Sequence, residues 1–210
     1  MKYYEAIVGS RCFGLELPDS DTDIAVVGDT WETKHTRDGL HVMQCPKEYF
    51  WGIVTYEPAF IHAHQWLYPA HFLSTGEVTS FLVEYLDQII AANLPQVWQM
   101  NWDTAVSLRN NAQHYFGPFP KRLVYSTLRF ETLARYAAGV PFAEAFKPSK
   151  ELHPVLIAMR RGELSLQEAI AVNTAVMKCA KKTFPFYEKP KDYLTLNTVK
   201  EELSRLLLLH

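Results

Sequence analysis

The chain has 210 residues, 48% of them hydrophobic, which is long and apolar enough for a buried core in one domain or two small ones. No apolar run approaches the roughly 20 residues needed to span a bilayer, and "MKYYEAIVGS" lacks the apolar stretch and cleavage site of a signal peptide. The expectation is therefore a soluble, cytoplasmic protein with no membrane partner. Cys12, Cys45 and Cys179 are odd in number and scattered, which argues against a disulfide framework or a C-x-x-C zinc site. The net charge of −2 conceals a division: residues 1–100 carry 5 Lys and Arg against 13 Asp and Glu, net −8, whereas 101–210 carry 16 against 10, net +6. An acidic half suits divalent cations and a basic half suits phosphates or nucleic acid, though solvated surfaces carry such excesses too.

In chain order, "YYEAIV" (3–8), "DIAVVG" (23–28) and "GLHVMQ" (39–44) are short β-type runs bounded by Gly, Asp or Pro, and they predict strands of a small sheet. The texture then turns helical. Helices are expected over "PKEYFWGIV" (46–54), "EPAFIHAHQWLY" (57–68) and "GEVTSFLVEYLDQIIAAN" (76–93), the last with Val78, Phe81, Leu82, Tyr85, Leu86 and Ile89 at helical spacing. Further helices are expected over 95–116, 120–138, 151–160, 166–183 and 199–208. The S-x-x-E of Ser165 to Glu168 is a capping box, and Gly139 and Gly162 are stops. The outline is an α/β unit over 1–75 and a helical domain over 76–210.

The stretch that carries chemistry is "GSRCFGLELPDSDTDIAVV", residues 9–27. Gly9 and Ser10 follow the first strand, where a glycine permits close backbone approach and the amide groups opening the next segment can face an anion. Leu17 to Ser20 is turn chemistry leading into the second strand. Asp21 and Asp23, two apart on a strand, share a face, and two adjacent carboxylates repel unless a cation sits between them. Mg²⁺, commonly held by one or two carboxylates together with substrate phosphates, suits that place, and Mn²⁺ would serve as well. A phosphate cradle beside metal carboxylates is the equipment of phosphoryl or nucleotidyl transfer. The plain alternative is a simple turn followed by a polar strand entrance.

This stretch resembles the signature of the polymerase-β-type nucleotidyltransferase superfamily, G-S followed some ten residues later by D-x-D. The "GSR-x-x-GL" and "PDSD-x-D" details are most similar to its predicted-nucleotidyltransferase branch associated with RNA ligases. "PAFIHAHQWLYP", "KRLVYSTLR" and "LIAMRRGELSLQEAI" extend the likeness more weakly. The resemblance implies an α+β fold, a small mixed sheet followed by an all-helical domain. It further implies that Gly9 and Ser10 hold a nucleoside triphosphate, that Arg11 touches a phosphate, and that Asp21 and Asp23 bind Mg²⁺. The reaction would move a nucleoside monophosphate to a hydroxyl of an RNA end, a nucleotide or a protein. The family's third carboxylate has no counterpart in "GLHVMQ": His41 stands at the matching position, with Asp38 and Glu48 outside the run. Three alternatives follow: His41 serves in its place as proton acceptor or metal ligand, a nearby carboxylate swings in, or catalysis is lost and an antitoxin-like binding module remains.

In the helical half, Lys121, Tyr125 and Arg129 at i, i+4 and i+8 align on one helix face as a second set of nucleotide contacts, or as an ordinary solvated face. Lys178, Lys181 and Lys182 form a basic helix end that suits either RNA or the helix dipole. His62, His64 and His71 lack zinc-site spacing, and Trp51, Trp66, Trp98 and Trp102 read as core or interface anchors.

Overall fold

In the computed structural model, which describes residues 2–36, 39–55, 71–110, 119–183 and 193–209, the three expected strands are present. In β1 (Tyr4–Val8), Tyr4, Ala6 and Val8 are buried and alternate with half-buried Glu5 and Ile7, the period of a strand with one face on a core. The apolar run of β2 (Thr22–Gly28) ends in the buried Ala25, Val26 and Val27, and β4 (Leu40–Pro46) lies beside it. A fourth strand, β3 (Glu32–His35), was not signalled by sequence, because "ETKH" has no apolar residue to mark it. The sheet order is β1-β2-β4-β3, with β1 antiparallel to β2, β2 parallel to β4 and β3 antiparallel to β4. The fold is thus α+β, with a small mixed sheet at the start of the chain and helices after it.

The outer edge of β1 is closed. Leu73 N–H donates to Glu5 O at 2.8 Å, Glu5 N–H donates to Ser74 Oγ at 3.0 Å, and Phe72 bridges Ala6. On the helix-covered face, Tyr4 stacks on Phe50 of α2 (Lys47–Thr55) with ring centroids 5.3 Å apart. A short α1 (Gly9–Phe13) follows β1 directly and ends at the left-handed Gly14. The expected helix over 57–68, with His62, His64 and Trp66, lies outside the described residues, as does Asp38.

The helix expected over 76–93 breaks at Tyr85, giving α3 (Glu77–Glu84) and α4 (Leu86–Asn110), and α4 runs on through Pro95 instead of stopping before it. The remaining helices are α5 (Phe119–Ala137), α6 (Phe142–Ala145), α7 (Leu152–Arg161), α8 (Leu166–Thr183) and α9 (Tyr193–Leu206). The capping box forms: Ser165 N–H and Oγ–H donate to Glu168 Oε2 at 2.8 and 2.7 Å, and Glu168 N–H donates back to Ser165 Oγ at 3.3 Å.

Two compact units result, Met1–Leu94 with Lys189–His210, and Pro95–Glu188. The division expected from sequence is 1–75 and 76–210; here residues 76–94, with α3 and the start of α4, and the C-terminal α9 group with the strands. Val199, Leu203 and Leu207 are fully buried, and the Trp51 indole N–H donates to Lys200 O at 3.3 Å. In the second unit α5 packs on α6, α7 and α8. Its core contains Ala105, Phe130, Met177 and Ala180 with Trp98 and Trp102 against them, as anchors rather than open platforms. Among the described residues no helix is long and apolar enough to cross a membrane.

Candidate nucleotide site

The antiparallel register sets Val8, the last residue of β1, opposite Asp23 on β2, and the parallel register sets Asp23 opposite His41 on β4. Sheet geometry alone therefore brings the first turn, the carboxylate and the histidine into one row. Gly9 comes next after Val8 and adopts φ +73°. A Cβ built on it would collide with Oδ2 of Asp23, so the carboxylate lies directly against the backbone of the turn. No residue but glycine allows both the left-handed backbone and that approach. The other carboxylate oxygen, Oδ1, faces Nδ1 of His41 at 2.9 Å. Both side chains are about one-third exposed, 33% for Asp23 and 28% for His41, so the pair is open to a ligand. A cavity of about 200 Å³ opens over it, lined by Val8, Gly9, Asp23, Ile24, His41 and Met43. Sequence reasoning missed Ile24 and Met43 as lining residues, which only the pairing of β2 with β4 brings to the cavity.

Asp21 sits one residue before β2, exposed, its Oδ1 beside Gly39, whose carbonyl accepts from Thr22 N–H at 2.9 Å. It is at the mouth of the strand rather than in the cavity lining. Ser10 is buried, 5% exposed, and α1 has only five residues, so the serine is less open than the sequence pattern implied. Arg11 points elsewhere: its Nη2 donates to Ser20 O at 3.1 Å, tying α1 to the Leu17–Ser20 turn, and its Nε is buried. Glu48 is exposed in the first turn of α2. Among the described residues no group of three or more His, Cys, Asp and Glu side chains is arranged to hold a metal. The donor set available is two carboxylates at the head of β2, one already engaged by a histidine. That set does not make a closed protein cage. It does fit an ion completed by oxygens of a bound substrate, the mode in which Mg²⁺ is usually held.

In the second unit, Lys121 is exposed while Tyr125 and Arg129 are half-buried along α5. The Arg129 Nε is enclosed, and burial pushes the guanidinium down to about 10, opposed by Tyr125, which still leaves it charged at neutral pH. Lys178, Lys181 and Lys182 are exposed on α8, and Lys181 Nζ rests 5.1 Å from the Trp102 ring centroid.

No protein-family model and no curated protein matches the chain. Among solved structures it is similar to a nucleotidyltransferase-like protein from Exiguobacterium sibiricum, at 13% identity and a TM-score of 0.35, over 98% of this chain and 83% of that one.

Proposed function

We propose that the Gly9, Asp23 and His41 row is the nucleotide site of a Mg²⁺-dependent nucleotidyltransferase related to the branch associated with RNA ligases. The observation that carries this reading is the carboxylate of Asp23 lying against the backbone of Gly9. The amides of such a turn attract an anion and the carboxylate repels one. A triphosphate that brings a divalent cation satisfies both, whereas a bare anion satisfies the amides and is repelled by the carboxylate.

In this reading Gly9 and Ser10 bind the phosphate chain, and Asp21 and Asp23 hold the metal, which when bound neutralises the triphosphate and the departing pyrophosphate. With Nδ1–H donating to Asp23, the His41 ring keeps Nε2 as its basic nitrogen, the atom this reading assigns to take the proton of the acceptor hydroxyl. That arrangement stands in for a third carboxylate. Lys121, Tyr125 and Arg129 are the nucleotide-contact candidates of the second unit. The acceptor is a hydroxyl of an RNA end, a nucleotide or a protein.

The test is incubation with each labelled nucleoside triphosphate and Mg²⁺, with and without RNA. Label transfer with pyrophosphate release is expected, abolished by Asp23→Asn and Asp21→Asn. His41→Asn should lower kcat by about 10²–10⁴-fold. A second reading, a nucleotide- or partner-binding module without turnover, is favoured by the lack of any three-group metal cluster among the described residues. Metal-dependent binding with no turnover supports it. The absence of both nucleotide binding and turnover would sink the enzyme reading and the nucleotide-binding form of the second.

A further inference from the structure

The sheet treats its two edges differently. The outer edge of β1 is covered by residues 72–74, which supply backbone and hydroxyl partners. At the other end, β3 pairs with β4 on one side, and among the described residues no strand lies on its other side. Glu32, Thr33 and Lys34 are all exposed, and Trp31 just before them is 60% exposed, its ring 4.9 Å from that of the exposed Tyr49 on α2. An open row of N–H and C=O groups beside large exposed rings is a template for another strand.

The order of charges selects the strand. Glu32 and Lys34 stand two apart, and they bridge each other at 2.8 Å with most of the lysine exposed. When two copies of β3 pair antiparallel about a two-fold axis through Thr33, Glu32 of each copy faces Lys34 of the other, and Trp31 of each comes into register with His35 of the other. The symmetry makes both charge pairs favourable at once. A parallel in-register pairing would set Glu32 against Glu32 and Lys34 against Lys34. Lysine alone on an edge discourages pairing, whereas here each lysine brings the partner for its symmetry mate.

We propose that β3 is the interface of a homodimer, the second copy extending the four-stranded sheet into an eight-stranded one about Thr33. The inference is independent of the chemistry assigned to the cavity. The contact is short, so the dimer is weak and concentration-dependent. Because His35 is in register with His41 on β4, dimerisation would also set Trp31 of the second copy two strands from the candidate site, in the same row.

Sedimentation velocity over a concentration series, to about 1 mM, tests this. The wild-type chain is expected to shift from monomer to dimer. Glu32→Lys and Lys34→Glu, each of which makes both symmetry-related pairs repulsive, should each weaken the dimer by about tenfold or more. The double exchange should restore it. An equimolar mixture of the two single variants should form a heterodimer, since one strand then carries two positive charges and the other two negative. Hydrogen exchange read on the wild-type chain gives a check that needs no variant: the outward amides among residues 31–35 should gain protection as concentration rises. A chain that stays monomeric throughout overturns the proposal. So does a dimer that is indifferent to both single substitutions or leaves those amides unprotected.

Discussion

At Gly9 a single methyl group would have to enter a space already filled by the Asp23 carboxylate, on a backbone at φ +73° that side chains disfavour. Gly9→Ala is expected to cost about 1–2 kcal/mol from the backbone alone, and to displace Asp23 from His41. Thermal melting checks the first effect. The second should appear in NMR as a changed His41 ring environment, a readout that needs no activity. The thiols give a second prediction at this scale. Burial pushes Cys45 up to about 12 and raises Tyr4 well above its ordinary value, whereas Cys179 is exposed and Cys12 buried. One thiol in the native protein should react with a maleimide at pH 7.5, and three after unfolding. Both buried acids have folded values above their unfolded ones, so their contribution is fully present below about pH 9. It fades as pH rises further, by up to roughly 1.4 kcal/mol per pH unit for each group that titrates only in the unfolded chain. Denaturant titrations at pH 8, 9 and 10 should show that decline.

Among the elements, the helices of the second unit meet through buried polar side chains as well as apolar ones. Asn173 on α8 donates through Nδ2 to Thr127 Oγ1 at 3.0 Å and Ser126 Oγ at 3.4 Å on α5, and Asn101 on α4 donates to Ser126 O at 3.3 Å. Asn173→Ala removes those bonds from a fully buried position and leaves a small void. It should lower unfolding free energy by about 1–3 kcal/mol, seen as a lower urea midpoint with an unchanged slope. Such cross-helix pairing is invisible in sequence, because it depends on which faces meet. What was legible depended on local signals. β1, β2 and β4 announced themselves by apolar runs, and α8 by Ser165 and Glu168, whose carboxyl is held below its usual range by the serine. The row of Gly9, Asp23 and His41 was partly legible, since a turn residue, a strand carboxylate and a histidine at the next strand's head are all local features. Their register is a property of the sheet. β3 was missed because "ETKH" carries no apolar residue and Glu32, Thr33 and Lys34 are exposed, and the Tyr85 break because both flanking helices share one apolar periodicity.

At the scale of the molecule, the chain divides its charge along structural lines: the second unit, residues 95–188, has 12 Lys and Arg against 7 Asp and Glu, which leaves the sheet unit acidic. The sheet unit is assembled from both ends of the chain, so its stability rests on a helix more than a hundred residues from the strands. α9 contributes Val199 and Leu203 and the turn after it Leu207, all at 0% exposure, and two long-range bonds secure the contact. One is the Trp51 indole to Lys200 O, and the other is Lys47 Nζ to Leu208 O at 3.0 Å. Burying three such aliphatic side chains stabilises by about 1.5–3 kcal/mol each, a sum comparable with the whole net stability of about 5–15 kcal/mol for a domain. Ending the chain at residue 192 should therefore unfold or loosen the first unit while sparing the second, whose core of Ala105, Phe130, Met177 and Ala180 lies wholly within 95–188. Hydrogen exchange resolves the two: amides of β1, β2 and β4 should lose protection, and those of α5 and α8 should keep it. If the strands stay as protected without α9 as with it, the sheet needs nothing from the C-terminal helix. If α5 and α8 lose protection with the strands, the two units unfold as one.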